Sequence, residues 1–191
     1  MKAIIFDVDG VIVISAEEKT KRIKKILKNH NLYDIDWVKD IFALSLNRIV
    51  LIDMIHEIVS FDKQKVLWDI NTSLEELEYN PIANTKIVDF IRNNHDKYSF
   101  FTNTSLPKKS LETTFHVLWI TDCFVELFAG EDGMKLDNTY TILEKYNLRP
   151  EEALFIDDSF THIDKVSQSW VHLLHFGSLD IDINQELNKY N

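Results

Sequence analysis

A chain of 191 residues that is 45% hydrophobic and 12% aromatic can bury a real core, which argues against disorder and leaves room for one domain with a sizeable insertion. Its formal net charge of −10 argues against nucleic acid as a partner, because duplex binding needs a cationic surface to displace counterions. The sequence has no run of about 18 apolar residues, no secretory leader pattern, and a single cysteine, Cys123, so no membrane span, no internal disulfide and a cytoplasmic location are expected.

The first element is the apolar run Ala3-Ile4-Ile5-Phe6, which reads as a buried strand closing on Asp7, Asp9 and Gly10. In a parallel α/β sheet, ligands bind at the carboxyl ends of the strands, and a glycine there lets the backbone turn. One acid so placed can act as nucleophile or metal ligand while its neighbour handles protons. About ninety residues follow before the next strand of this kind, far more than a βαβ crossover needs, so an inserted unit is expected at residues 15–82.

Within that insertion, Ser15-Ala16-Glu17-Glu18 reads as a capping box, and Ile23, Ile26 and Leu27 recur at helical spacing. A second periodic stretch begins at Asp36 with Trp37, Val38, Ile41, Phe42 and Leu46. Ile49, Ile52 and Ile55 continue it after Asn47 as a separate helix. Ser73-Leu74-Glu75-Glu76 reads as another capping box, and Pro81 marks the exit. The insertion is therefore predicted to be four or five helices without a strand. Lys19, Lys21, Arg22, Lys24, Lys25 and Lys28 make it locally basic, as a solvated helix face or as a rim that attracts anionic substrates.

Residues 1–14 and 83–191 carry an alternating strand and helix pattern. Ile87, Val88, Phe90 and Ile91 mark a helix before a strand at 98–102. A helix opened by Pro107, a strand near 123–128 and a helix at 137–146 come next. A strand at 153–156, a helix at 159–169 and a strand at 171–176 complete the series. About five strands alternating with helices predict an α/β fold, a doubly wound, parallel, Rossmann-like sheet carrying an inserted all-helical unit. Trp37, Trp68, Trp119 and Trp170 are expected in the core or at interfaces, and the histidines show no spacing that compels a metal site.

Four segments in order resemble the motifs of the haloacid dehalogenase superfamily. They are Asp7-Val8-Asp9-Gly10, then Phe100-Phe101-Thr102-Asn103, then Lys135 ahead of a helix, and last Phe155-Ile156-Asp157-Asp158-Ser159. The resemblance implies a Mg²⁺-dependent phosphatase acting on a small phosphorylated metabolite, with Asp7 as nucleophile and Asp9 as general acid and base. It implies that Thr102 and the Asn103 amide donate to the phosphoryl oxygens and that Lys135 neutralises their charge. It also implies a metal held by Asp7, the Asp9 carbonyl, Asp158 and Asp157. The insertion after the first motif looks like the helical cap of the phosphoglycolate phosphatase and β-phosphoglucomutase branch, while the presence of Asp9 points away from dehalogenation, since a halide leaves without a proton. A phosphomutase and a non-catalytic phosphate-sensing module are the alternatives. His162 stands where the family commonly has Asn or Asp, and its ring is expected to replace an amide as partner of Lys135 or of an acid.

Overall fold

The structure is a computed structural model that describes residues 1–34, 37–38, 48–177 and 181–190. The chain divides into two compact units, one formed by Met1–Ser15 with Glu78–Asn191 and the other by Ala16–Leu77.

The first unit is built on a sheet of β1 (Ala3–Phe6), β2 (Ser99–Asn103), β3 (Glu126–Phe128), β4 (Ala153–Asp157) and β5 (His172–His175). The order is β3-β2-β1-β4-β5 and every pairing is parallel, so the predicted Rossmann-like α/β architecture is the observed one. Side chains alternate across this sheet with period two. Ile4, Phe6, Phe100, Leu154 and Ile156 enter one apolar cluster, and Ala3, Ile5, Phe101, Ala153 and Phe155 enter the other. Both faces are therefore covered, which explains why β1 and β4 read as continuous apolar runs.

On the first face pack the helices at Thr85–Asn94 and Lys108–Val117, through Ile87, Ile91, Leu111 and Phe115. The second face takes the helices at Lys135–Lys145 and Phe160–Val166, through Ile142, Leu143 and Val166. Pro107 sits at the N-cap of its helix rather than inside the first turn. The predicted helix at 159–169 is shorter, ending at Val166 and continuing as a 3₁₀ turn at Ser167–Ser169. A short helix at Ile183–Leu187, not foreseen from sequence, seats Ile183 and Leu187 in the first cluster.

The other unit contains helices at Ala16–Asn29, Arg48–Ile58 and Lys63–Tyr79. Ile26, Leu27, Leu51, Ile52, Ile55, Val66 and Ile70 form its core, with Val38 buried and Trp37 packed against it. Ile49 shares a helix side with Ile52 but stands in the first turn, where it is 53% exposed. Asp36, Ile41, Phe42, Leu46 and Asn47 lie outside the described residues.

Ser73-Leu74-Glu75-Glu76 is not a helix start. Its helix begins ten residues earlier at Lys63, where Asp62 Oδ1 accepts from the Lys65 amide at 3.0 Å. The basic run on the first helix is partly paired, Arg22 with Glu18 and Glu76, while Lys24 and Lys28 lie over the Tyr33 ring. Trp68, Trp119 and Trp170 are exposed rather than buried. Trp119 and Trp170 stand at helix ends with φ of 54° and 62°, left-handed positions from which the side chain projects outward.

Candidate active site

Strand order reverses direction around β1, and the crevice beyond the carboxyl ends of β1 and β4 is where such sheets bind ligands. Asp7 follows β1 directly and its amide donates to the Ile156 carbonyl at 2.8 Å, which fixes it beside the end of β4. Asp157 ends β4 and is fully buried. Lys135 opens the helix after β3 and is nearly buried. Its ammonium group lies 3.0 Å from Asp7 Oδ1 and 2.5 Å from Asp157 Oδ2.

Two buried carboxylates thus share one ammonium. Burial pushes the Asp7 carboxyl up to about 7, Lys135 pulls it down, and the charge of Asp157 pushes it up again. Asp157 Oδ1 also accepts from the Ser159 amide at 2.8 Å, and His162 Nδ1 stands 3.1 Å from its Oδ2. A carboxylate only accepts, so the imidazole donates through Nδ1. Of the two partners expected for His162, the acid is the one it meets, and its role is donor.

Gly10 has φ of +84°, and a Cβ there would come within 2.0 Å of Asp158 Oδ2. Glycine is therefore required both by the turn and by the close approach of the Asp158 carboxylate. Partial burial and then the Asp157 charge raise the Asp158 carboxyl above the usual range. Asp9 accepts from the Ser15 hydroxyl at 3.0 Å, a contact that the capping-box reading of Ser15 does not foresee.

Thr102 and Asn103 end β2 and are fully buried. Thr102 donates its hydroxyl to the Phe128 carbonyl at 3.2 Å, so in this structure that proton is directed at the backbone of β3. The Asn103 side chain donates to the Lys135 carbonyl at 2.7 Å and to Thr139 Oγ1 at 3.1 Å, and accepts from Asn138 at 3.2 Å. This brace holds the first turn of the helix that carries Lys135. Asn138 and Thr139 follow Lys135 by three and four residues, the spacing that shares a helix face, and that spacing was the available sequence signal.

Asp7, Asp9, Lys135, Asp157 and Asp158 are thus gathered around the ends of β1 and β4, with Asn103 holding Lys135 in place. Asp7, Asp157 and His162 present ligand atoms within 4.8 Å of one another. Lys135 and His162 also line a cavity of about 460 Å³, room for a small molecule. No described helix is long and apolar enough to cross a membrane.

Solved structures share this architecture. A putative β-phosphoglucomutase from Thermotoga maritima is 15% identical, with a TM-score of 0.73 over 100% of this chain and 91% of that one. A predicted phosphoglycolate phosphatase from Haemophilus somnus is 19% identical, with a TM-score of 0.72 over 97% and 90%. The putative hydrolase YfnB of Bacillus subtilis, bound to magnesium, is 14% identical, with a TM-score of 0.66 over 90% and 86%. At these identities the likeness concerns the fold. No curated protein sequence matches the chain. The model of the haloacid dehalogenase-like hydrolases matches residues 4–170, which span the sheet from Ile4 of β1 to the end of β4, and the chain belongs to that family.

Proposed function

We propose that the protein is a Mg²⁺-dependent phosphatase that hydrolyses a small phosphomonoester through an aspartyl phosphate on Asp7. The observation that carries this reading is the buried Asp7–Lys135–Asp157 arrangement, with Asp9 oriented by Ser15 two residues beyond Asp7. With both acids ionised, the pair keeps a net negative charge beside one lysine, and buried, perturbed groups of this kind cluster at functional sites.

The donor set suits a hard divalent cation. Oxygen ligands predominate, and the Asp7 carboxyl, raised chiefly by burial and further by the charge of Asp157, would be held ionised by a cation. Asp7, the Asp9 carbonyl, Asp158 and Asp157 would hold Mg²⁺, which would neutralise the anionic phosphoryl group and keep Asp7 ionised. The magnesium bound to the Bacillus relative supports that choice of ion.

Asp7 attacks phosphorus and the ester P–O bond breaks, while Asp9 gives its proton to the departing alkoxide. Asp9 then takes a proton from water as the water oxygen attacks phosphorus. The P–O bond to Asp7 breaks, which restores the carboxylate and yields inorganic phosphate. Lys135 and the Asn103 amide stabilise charge on the phosphoryl oxygens throughout. Thr102 joins them once its hydroxyl turns from Phe128.

Phosphate release from a panel of phosphorylated metabolites, with Mg²⁺ and with excess chelator, tests the reading. Release only with the cation is expected. Undiminished turnover in chelator rejects it, and an isomerised ester in place of free phosphate would identify a mutase.

A further inference from the structure

Phe160 is the first residue of the helix that follows the paired acids, two positions after Asp158, and it is 72% exposed. It does not hang loose. Its ring stacks on His175 with centroids 3.6 Å apart and planes 21° apart. His175 ends β5, and its Nε2 lies 2.9 Å from the Asp158 carbonyl, so the imidazole donates there and its plane is fixed. Beside it, a Cβ on Gly177 would stand 2.9 Å from the His175 ring, so the imidazole lies against bare backbone. One face of Phe160 is covered by a ring that is itself anchored to the backbone of an acid, while much of the side chain still meets solvent.

Isolated exposed apolar residues need no explanation; what marks this one is an aromatic ring already stacked and held at the carboxyl end of the sheet. Trp119 and Trp170 are more exposed, but they precede β3 and β5 and so lie at the opposite end of the strands from the acids. Phe160 lies at the carboxyl end, three residues from Asp157, a span of at most about 11 Å along the chain. The strand that carries His175 lies two strands from β1, about 10 Å across the sheet, a separation that a nucleoside monophosphate with its phosphate at Asp7 can span.

We propose that Phe160, backed by His175, is a stacking platform for the planar ring of the substrate's alcohol portion, and that heteroaromatic phosphomonoesters of the nucleoside monophosphate kind are the preferred substrates. The inference rests on the phosphatase reading of Asp7. Stacking accepts any planar ring, since each has a π-face, whereas the hydroxyls of a bare sugar phosphate would lose hydrogen bonds to water against an apolar ring.

The test compares kcat/KM for nucleoside 5′-monophosphates with that for glycerol phosphate and hexose phosphates, each with Mg²⁺. In the native protein the ratio favours the nucleotides by about tenfold or more. Phe160→Ala brings the ratio close to one, mainly through KM for the nucleotides, and Phe160→Tyr restores it. A native ratio near one, or a ratio that survives Phe160→Ala in folded protein, overturns the platform while hydrolysis itself persists. Absence of turnover with every ester would instead defeat the phosphatase reading and the platform with it.

Discussion

The two units treat buried charge in opposite ways. Around the ends of β1 and β4 the α/β unit encloses Asp7, Lys135 and Asp157, together with the buried Thr102, Asn103 and Asn138. The core of the helical unit is aliphatic among the described residues, from Ile26 to Ile70, and its lysines lie on the surface. A hydrophobic core gains stability from every residue it buries, whereas enclosed carboxylates draw on that gain. The contrast teaches where chemistry is to be sought. On the proposed reading, the unit that carries unfavourable buried charge is the one that holds the reacting groups.

Asp7→Asn is the sharpest way to break this contrast. It should lower phosphate release by about a thousandfold or more, because the proposed nucleophile is removed rather than weakened. Wild-type turnover in that variant would show that the buried charge serves some other end.

In the helical unit, Ile52→Ala should act on stability instead, by about 2–5 kcal/mol, since it leaves a cavity among close-packed neighbours. Hydrogen exchange resolved along the chain should then lose protection chiefly within 16–77. A uniform loss over both units would mean that they unfold as one.

Asp9→Asn should preserve magnesium binding and slow turnover by about a hundredfold, measured with an ester whose leaving group needs a proton. A leaving group of low pKa should narrow that gap.

The stability of the metal-free protein supplies a further test. The Asp7 carboxyl is raised from its usual value of 3.8 to about 7, so the folded state holds this proton more tightly than the unfolded one. Its contribution therefore favours folding at low pH and is lost as pH rises from about 4 to 7. At pH 8 without metal, Asp7→Asn should be more stable than the native protein, on the order of 2 kcal/mol or more by denaturant titration. Saturating Mg²⁺ should stabilise the native protein and shrink that difference, and a metal-independent difference would contradict the assignment of Asp7 as a ligand.

The smallest effect is expected at His162. His162→Asn can still donate to Asp157 and should hold kcat/KM within about threefold, while His162→Leu withdraws the donor from a buried carboxylate and should lose more. Equal loss in both variants would mean that the ring itself is needed.

Much of this contrast is visible in the order of residues. Ala3-Ile4-Ile5-Phe6 and Ala153-Leu154-Phe155-Ile156 are apolar through both pleats because both faces of their strands are covered, and that dictates a parallel sheet with helices on either side. Gly10 after the acids foretold a turn, and the turn it makes has the positive φ that glycine permits.

Local signals failed where two structures compete for one pattern. Ser73-Leu74-Glu75-Glu76 has the letters of a capping box but lies within a helix already begun at Lys63, since a cap motif is decided by where the backbone turns. Ser15-Ala16-Glu17-Glu18 does stand at a helix start, at Ala16, and the Ser15 hydroxyl donates besides to Asp9.

The strands to within about a residue at most of their ends, the acids that follow them and the class of fold are legible in the residue order, because burial leaves its mark in periodicity and composition. Which groups meet is set by the folded sheet. Lys135 is 22 residues from Asp157 and 32 from Asn103, and His175 is 17 from Asp158. These pairs exist because β1, β2 and β4 lie side by side, with β5 beyond β4, and bring their carboxyl ends to one edge of the sheet. Side-chain hydrogen bonds reach about 3 Å, so only the folded sheet can set such partners.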